Sequence, residues 1–161
     1  LARFGVGHDG INKALASRKG ILCTNTPEVL NQSVAEYTIS LILLCARRVS
    51  RMDSDLHNGA WAPFQGKELK DSRLAVIGCG GIGRLVARTA SLGFGMSVAG
   101  QYRREETRRE LEGLGFFALL TTSFEEAVKD ADFVTLHIPA NTTTRHVINR
   151  SRLEALPSRH T

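Results

Sequence analysis

Apolar and polar positions along the 161-residue chain follow two periods: short aliphatic runs of the strand type, and longer segments with an apolar residue every three or four positions. Leu1 to Val6 is a strand-like opening that ends in Gly5-Val6-Gly7, and Ile11 to Lys19 then has helical spacing stopped by Gly20. Ile21-Leu22-Cys23 reads as a further short strand. From Val29 to about Arg51, Val34, Tyr37, Leu41, Leu44 and Cys45 keep one helical face, while Ile42 and Leu43 widen it. That width predicts a long helix buried on more than one side. Asp53 to Trp61 predicts a second, short helix, and Ala62-Pro63-Phe64-Gln65-Gly66 breaks the pattern as a crossover.

Arg73-Leu74-Ala75-Val76-Ile77 is a strand, and three more are expected around 96–100, 116–119 and 133–137, with a helical segment between successive strands. Ser123-Phe124-Glu125-Glu126 and Ser151-Arg152-Leu153-Glu154 are capping-box signatures that open helices. Strands alternating with helices predict an α/β fold with a doubly wound parallel sheet. Repeats and low-complexity tracts are absent from the sequence.

The composition, 42% hydrophobic and 23% charged, is that of an ordinary globular chain long enough for one good core. Net charge is +5, but Lys and Arg are scattered without a basic tract or interleaved aromatics, which argues against a nucleic-acid surface. Cys23, Cys45 and Cys79 lie far apart, without metal-type spacing and each in an apolar segment. They read as small buried hydrophobes in a reducing compartment, and a cytoplasmic location is expected. The most apolar stretch, Ile39 to Ala46 between Glu36 and Arg47, is too short to span a bilayer, so no membrane partner is expected. Leu1 is not an initiator Met, and the chain is expected to begin inside a longer protein.

The most specific chemistry follows the strand at Arg73. It runs into Gly78-Cys79-Gly80-Gly81-Ile82-Gly83 and then a helical pattern from Arg84, so a G-x-G-x-x-G links strand to helix. Gly78 allows the tight turn, Gly80 removes a side chain that would block a pyrophosphate, and Gly83 lets helix and strand pack closely. The helix N-terminus offers free N–H groups and a positive dipole end to an anion. A glycine-rich turn without a ligand would share the glycines, but the flanking strand and helix favour a dinucleotide.

An NAD site usually carries Asp or Glu about 20 residues past the glycines, where it accepts hydrogen bonds from the ribose 2′-OH. Here Met96-Ser97-Val98-Ala99-Gly100 is followed by Gln101-Tyr102-Arg103-Arg104, with no carboxylate and two guanidiniums. Arg offers a planar, permanently charged fork of donors suited to a phosphate, so NADP is favoured over NAD. Arg108 and Arg109 fit ordinary helical pairing with Glu105 better than a ligand.

These residues resemble the family of D-isomer-specific 2-hydroxyacid dehydrogenases. The resemblance covers nearly the whole chain through an ordered series: Gly5-Val6-Gly7-His8-Asp9, Asn25-Thr26-Pro27, Ser33-Val34-Ala35-Glu36, Gly78 to Gly83, Ala131 to Pro139, and Thr144-Arg145-His146-Val147-Ile148-Asn149. It implies a Rossmann-like NAD(P)-binding domain over 49–161, incomplete at its C-terminus, preceded over 1–48 by the tail of a flavodoxin-like substrate domain and its connecting helix. It also implies hydride transfer between NAD(P)H and a small 2-keto or 2-hydroxy acid, in a homodimer.

Residue by residue, the resemblance assigns the substrate carboxylate to backbone groups of Val6 and Gly7. It assigns the pyrophosphate to Gly81 and Ile82 beside Gly78, Gly80 and Gly83, the adenosine ribose to Tyr102, Arg103 and Arg104, and the nicotinamide rim to His137, Ile138, Pro139 and Asn141. The family's catalytic Arg and its His–Glu pair are expected beyond Thr161, so none of these 161 residues is expected to be catalytic. His137 is read as a backbone-satisfied residue at a strand end, Asp9 as a helix cap before Ile11, Trp61 as a packing residue, and His160 as lying near a frayed end. The competing reading is a non-catalytic dinucleotide-binding or co-repressor-like module. A third, a dinucleotide enzyme sharing only the nucleotide fold, sits poorly with the Ser33 to Glu36 helix start.

Overall fold

Strand-type and helix-type segments follow one another as β1 (Ala2–Arg3), α1 (Lys13–Arg18), β2 (Thr24–Asn25), α2 (Asn31–Arg47), α3 (Val49–His57), β3 (Arg73–Ile77), α4 (Gly81–Arg88), β4 (Ser97–Gln101), α5 (Arg108–Glu112), β5 (Leu119–Thr121), α6 (Phe124–Val128), β6 (Phe133–Leu136) and α7 (Arg150–Glu154). A π-helical turn, Thr89–Gly93, extends α4, and a 3-10 turn, Glu105–Thr107, precedes α5. This computed structural model describes residues 1–154 and Leu156. Ala155 and the stretch 157–161, and with it His160, lie outside the described residues.

Four strands form a parallel sheet in the order β5-β4-β3-β6. With β3 first in sequence, this is the 3-2-1-4 order of a doubly wound dinucleotide fold, and all its strands are parallel, as the alternating pattern predicts. β3 is central because it is apolar on both faces. Leu74 and Val76 pack against Ala35, Ile39 and Ile42 of α2 and Val86 and Ala87 of α4. Ala75 and Ile77 face Phe124, Ala127 and Val128 of α6 on the other side. Complete burial of such a side chain contributes roughly 1.5–3 kcal/mol, so β3 is the anchor of both layers. A separate two-stranded parallel pair, β1 with β2, sets Arg3 opposite Asn25.

Several boundaries differ from the sequence expectation. The expected single helix from Val29 to Arg51 breaks at Arg48, which takes a left-handed conformation (φ 49°) and returns its N–H to Cys45 and Leu44. The Arg48 guanidinium then lies 4.0 Å from the centre of the Phe64 ring, so the crossover segment folds back over the helix end. α3 accordingly starts earlier than the helix expected from Asp53. Only one stripe of α2 is buried, Ala35, Ile39, Ile42 and Ala46. Val34, Tyr37 and Leu41 on the remaining apolar surface are exposed.

The strand expected at Ile21 to Cys23 instead pairs at Thr24–Asn25, and pairing in the opening segment is confined to Ala2–Arg3. Phe116 and Phe117 lie ahead of β5 as a packed aromatic pair, not within the strand. Asn12, not Asp9, caps α1, through Oδ1 to the Leu15 N–H at 3.0 Å. Asn149, not Ser151, caps the last helix through the Arg152 N–H. Ser123 caps α6 as expected, but Glu126 spends its carboxylate on the Thr121 hydroxyl instead of completing the box. Of the cysteines only Cys79 is buried; Cys45 is exposed and Cys23 half-buried. Trp61 is 82% exposed and therefore does not pack as expected.

Candidate functional site

The glycines between β3 and α4 each meet a different steric condition. Gly78 has φ +97°, and a Cβ there would lie 2.7 Å from both the His137 carbonyl oxygen and Ile138 Cγ2. Gly83 faces the turn so closely that a Cβ would overlap the Gly78 carbonyl oxygen. Around Gly80 the space within 4 Å is open among the described residues. The turn is thus closed from behind and open in front, where Gly80 stands as the cap residue of the eight-residue α4. An anion placed there meets unobstructed helix N–H groups and the positive end of the helix dipole.

The rest of the carboxyl edge assembles around that turn. The Gly78 N–H donates to the Gln101 carbonyl at 2.9 Å, and the His137 N–H to the Ile77 carbonyl at 2.8 Å. A cavity of about 270 Å³ opens at the strand ends, lined by Ile77, Gln101, Arg103, Phe124, Ile138, Thr143, Thr144, Val147 and Arg152. Its apolar floor and polar rim suit an aromatic ring carrying hydrogen-bonding edges. Gly81 leaves room for the Asn31 carboxamide, which packs where a Cβ would sit. Ile82 turns its side chain toward the α2–β3 core, leaving its backbone to the turn.

On the ribose side the four residues after Gly100 separate into different roles. Tyr102 is buried, 4% exposed, among Cys79 and Leu111, and its hydroxyl donates to Glu105 at 2.9 Å. Burial first, and then the Glu105 hydrogen bond, raise its phenol above the ordinary value. Its side chain is therefore turned away from the surface where a ribose would lie. Arg103 and Arg104 are exposed and enter none of the ion pairs among the described residues, whereas Arg108 is held by Glu105 at 3.3 Å and Glu112 at 2.8 Å.

The loop after β6 is held by its own side chains. Asn141 Oδ1 accepts from the N–H groups of Thr143 and Thr144, and Thr144 Oγ1 donates to the Pro139 carbonyl. The Asn141 oxygen is thus spent on loop geometry. His137 faces the α2 side, where its Nε2 shares a 3.0 Å hydrogen bond with Thr135 Oγ1, and burial pulls its pKa below 6.5. Its ring borders a groove lined by Val34, Thr38 and Leu41.

Two contributions carry no short-range sequence signal. Arg84 donates through Nε to the Cys79 carbonyl at 3.0 Å and grips both carboxylate oxygens of Glu110 on α5. The hydrogen bond to Arg84 pulls the Glu110 pKa down, and α5 is thereby tied to the glycine turn. Asn31 touches Gly81 only because α2 packs along α4. The Gly5 to Gly7 turn approaches the same end of α2 through Leu30, whose Cδ1 is 4.0 Å from a Cβ placed on Gly5.

The family model for the D-isomer specific 2-hydroxyacid dehydrogenase, NAD binding domain, matches residues 39–161. The chain belongs to this family. Its parallel sheet is the Rossmann-like NAD-binding domain of these dehydrogenases, and the match begins at Ile39, inside α2. A hydroxypyruvate reductase of Thermotoga maritima is 40% identical over 156 residues, covering 95% of this dehydrogenase-family chain and 48% of the reductase. A D-3-phosphoglycerate dehydrogenase of Methanocaldococcus jannaschii is 38% identical over 155 residues, covering 95% of the chain and 29% of that protein. Among solved structures, D-lactate dehydrogenase of Aquifex aeolicus, complexed with NAD and lactic acid, superposes with a TM-score of 0.76 at 31% identity, over 96% of this chain and 46% of its own. The chain thus spans about half or less of the relatives it matches. Among the described residues, no helix is long and apolar enough to cross a membrane.

Proposed function

We propose that this chain is the dinucleotide-binding part of a D-2-hydroxyacid dehydrogenase, and that it prefers NADP to NAD. The carrying observation is the open space over Gly80 at the α4 N-terminus, framed by the tight packing at Gly78 and Gly83. Gly80, Gly81 and Ile82 would hold the pyrophosphate, the cavity beside Ile77, Gln101 and Arg103 would take the adenosine end, and Arg103 and Arg104 would meet a 2′-phosphate. Tyr102, assigned to the ribose by resemblance, contributes through its backbone, because its side chain is buried. His137, Ile138 and Pro139 shape the nicotinamide side, and Asn141 supports that rim from behind.

When bound, the nicotinamide would supply a hydride to the carbonyl carbon of a small 2-keto acid or, in reverse, take one from C2 of the 2-hydroxy acid. Val6 and Gly7 hold the carboxylate of that acid through backbone N–H groups, which can approach an anion closely beside glycine. Neither His137 nor another residue of the strand ends supplies the proton, so the 161 residues bind cofactor without turning substrate over. Residues 1–48 act as the end of the substrate domain and 49–161 as the cofactor domain. The exposed apolar face of α2 at Val34, Tyr37 and Leu41 supports association into a homodimer, and three free cysteines support the reducing cytoplasm.

The test is a fluorescence titration of the 161-residue chain with NADPH and with NADH. NADPH binds about ten- to hundredfold more tightly, and replacing Arg103 and Arg104 by Ala removes that difference while leaving NADH binding unchanged. Equal affinities in the parent chain refute the NADP preference, and absence of binding by either dinucleotide refutes the cofactor reading.

A further inference from the structure

The turn that carries Val6 and Gly7 is held from outside by three residues on and beside the short β1–β2 pair. Thr26 clamps Gly5 at both ends of its backbone: the Gly5 N–H donates to Thr26 Oγ1 at 2.9 Å, and the Thr26 N–H donates to the Gly5 carbonyl at 3.2 Å. Asn25 Nδ2 donates to the Val6 carbonyl at 3.1 Å, and Arg3 Nε to the Gly7 carbonyl at 3.1 Å. Arg3 and Asn25 are register partners across β1 and β2, so their side chains leave the pair together and reach successive carbonyls.

Three consecutive carbonyls are therefore occupied, and the peptide plane fixes what lies opposite each. In a trans peptide the N–H points away from the C=O, and the described chain contains no cis bond. Holding the carbonyls of Gly5, Val6 and Gly7 consequently turns the N–H groups of Val6, Gly7 and His8 away from Thr26, Asn25 and Arg3. None of these three N–H groups donates to an acceptor among the described residues. A cationic donor on the Gly7 carbonyl also polarises that peptide and makes the His8 N–H a stronger donor.

We infer that Arg3, Asn25 and Thr26 are positioning residues that preset the amides of Val6, Gly7 and His8 as an anion nest for the substrate carboxylate. This rests on the proposed reading of Val6 and Gly7 as the carboxylate site, adds His8 as a third donor, and assigns the orienting role to side chains that do not touch the substrate. Presetting matters because each amide would otherwise lose conformational freedom on binding.

The experiment is an NMR titration of the 15N-labelled 161-residue chain with glyoxylate, at constant ionic strength against a chloride control. The expected result is a saturable shift of the Val6, Gly7 and His8 amides. Asn25→Leu and, independently, Arg3→Met weaken glyoxylate binding about tenfold, while Arg3→Lys keeps a cationic donor and retains most of it. NADPH affinity, read in parallel, stays at the parental value in all three, which separates loss of positioning from loss of fold. Unchanged glyoxylate affinity in both Asn25→Leu and Arg3→Met overturns the positioning role and leaves the carboxylate site standing. No saturable shift at the three amides of the parent overturns both.

Discussion

A matched pair of glycine substitutions separates folding from ligand binding in the β3–α4 turn. In Gly83→Ala the new methyl overlaps the Gly78 carbonyl oxygen and comes 3.2 Å from Val76 Cγ1, so the first turn of α4 must move off the strand. Overpacking of this kind costs up to about 3 kcal/mol. Alanine in place of glycine returns about 1 kcal/mol of helix propensity, leaving a net loss of about 2 kcal/mol. For a chain of this size that lowers Tm by roughly 4–8 °C. In Gly80→Ala the methyl meets open space, and the φ of −78° and ψ of −166° suit any residue. A small cap penalty of about 0.5–1 kcal/mol is offset by a similar gain from a less flexible unfolded chain, so Tm stays near the parental value. The methyl does occupy the space assigned to the pyrophosphate, and NADPH affinity falls by about tenfold or more. Thermal denaturation paired with calorimetric titration reads both quantities. A Gly83→Ala chain as stable as the parent would refute the packing argument, and a Gly80→Ala chain that binds NADPH as the parent does would refute the cradle.

Because burial holds the folded-state pKa of His137 below 6.5, its contribution to stability is complete above that pH. It is lost as the pH falls toward the depressed value, since the unfolded chain takes up the proton first. Urea midpoints between pH 5 and 8, on a scale of about one pKa unit per 1.4 kcal/mol, therefore show an acid-side slope in the parent that His137→Gln flattens; identical slopes contradict it. Cys79 is buried, and burial pushes its thiol up to about 12 against the opposing charge of Arg84. A thiol reagent at neutral pH accordingly modifies Cys45 first in the native chain and reaches Cys79 only on unfolding, as peptide mapping after a short exposure checks. Tyr102→Asp places a carboxylate beside Leu111 and Cys79 and so destabilises the chain without creating an NAD-type ribose contact; a folded variant with improved NADH affinity speaks against that placement. Finally, Leu41→Glu on the open face of α2 shifts sedimentation toward monomer if that face associates, and an unchanged, concentration-independent monomer in the parent rules association out.

What local pattern could determine, it did. The aliphatic run Leu74 to Ile77 followed by Gly78 to Gly83 placed a strand, a tight turn and a helix where they occur, because close packing at Gly78 and Gly83 leaves no room for a Cβ. The alternation of strand and helix likewise determined a parallel doubly wound sheet, since successive parallel strands require a crossover. Events depending on residues far apart in sequence were decided by tertiary structure. Whether an apolar residue is covered depends on which element lies across from it, so Trp61 and one face of α2 stay open while Tyr102 is buried. Arg48 ends in a left-handed conformation a helix that periodicity alone would continue, and Phe64, sixteen residues on, packs on its guanidinium. Arg84 reaches Glu110 across 26 residues, and Arg3 and Asn25 reach the carbonyls of one turn because β1 and β2 pair in register. A chain read one residue at a time shows which groups can donate or accept; only packing decides which of them meet, and in what direction they point.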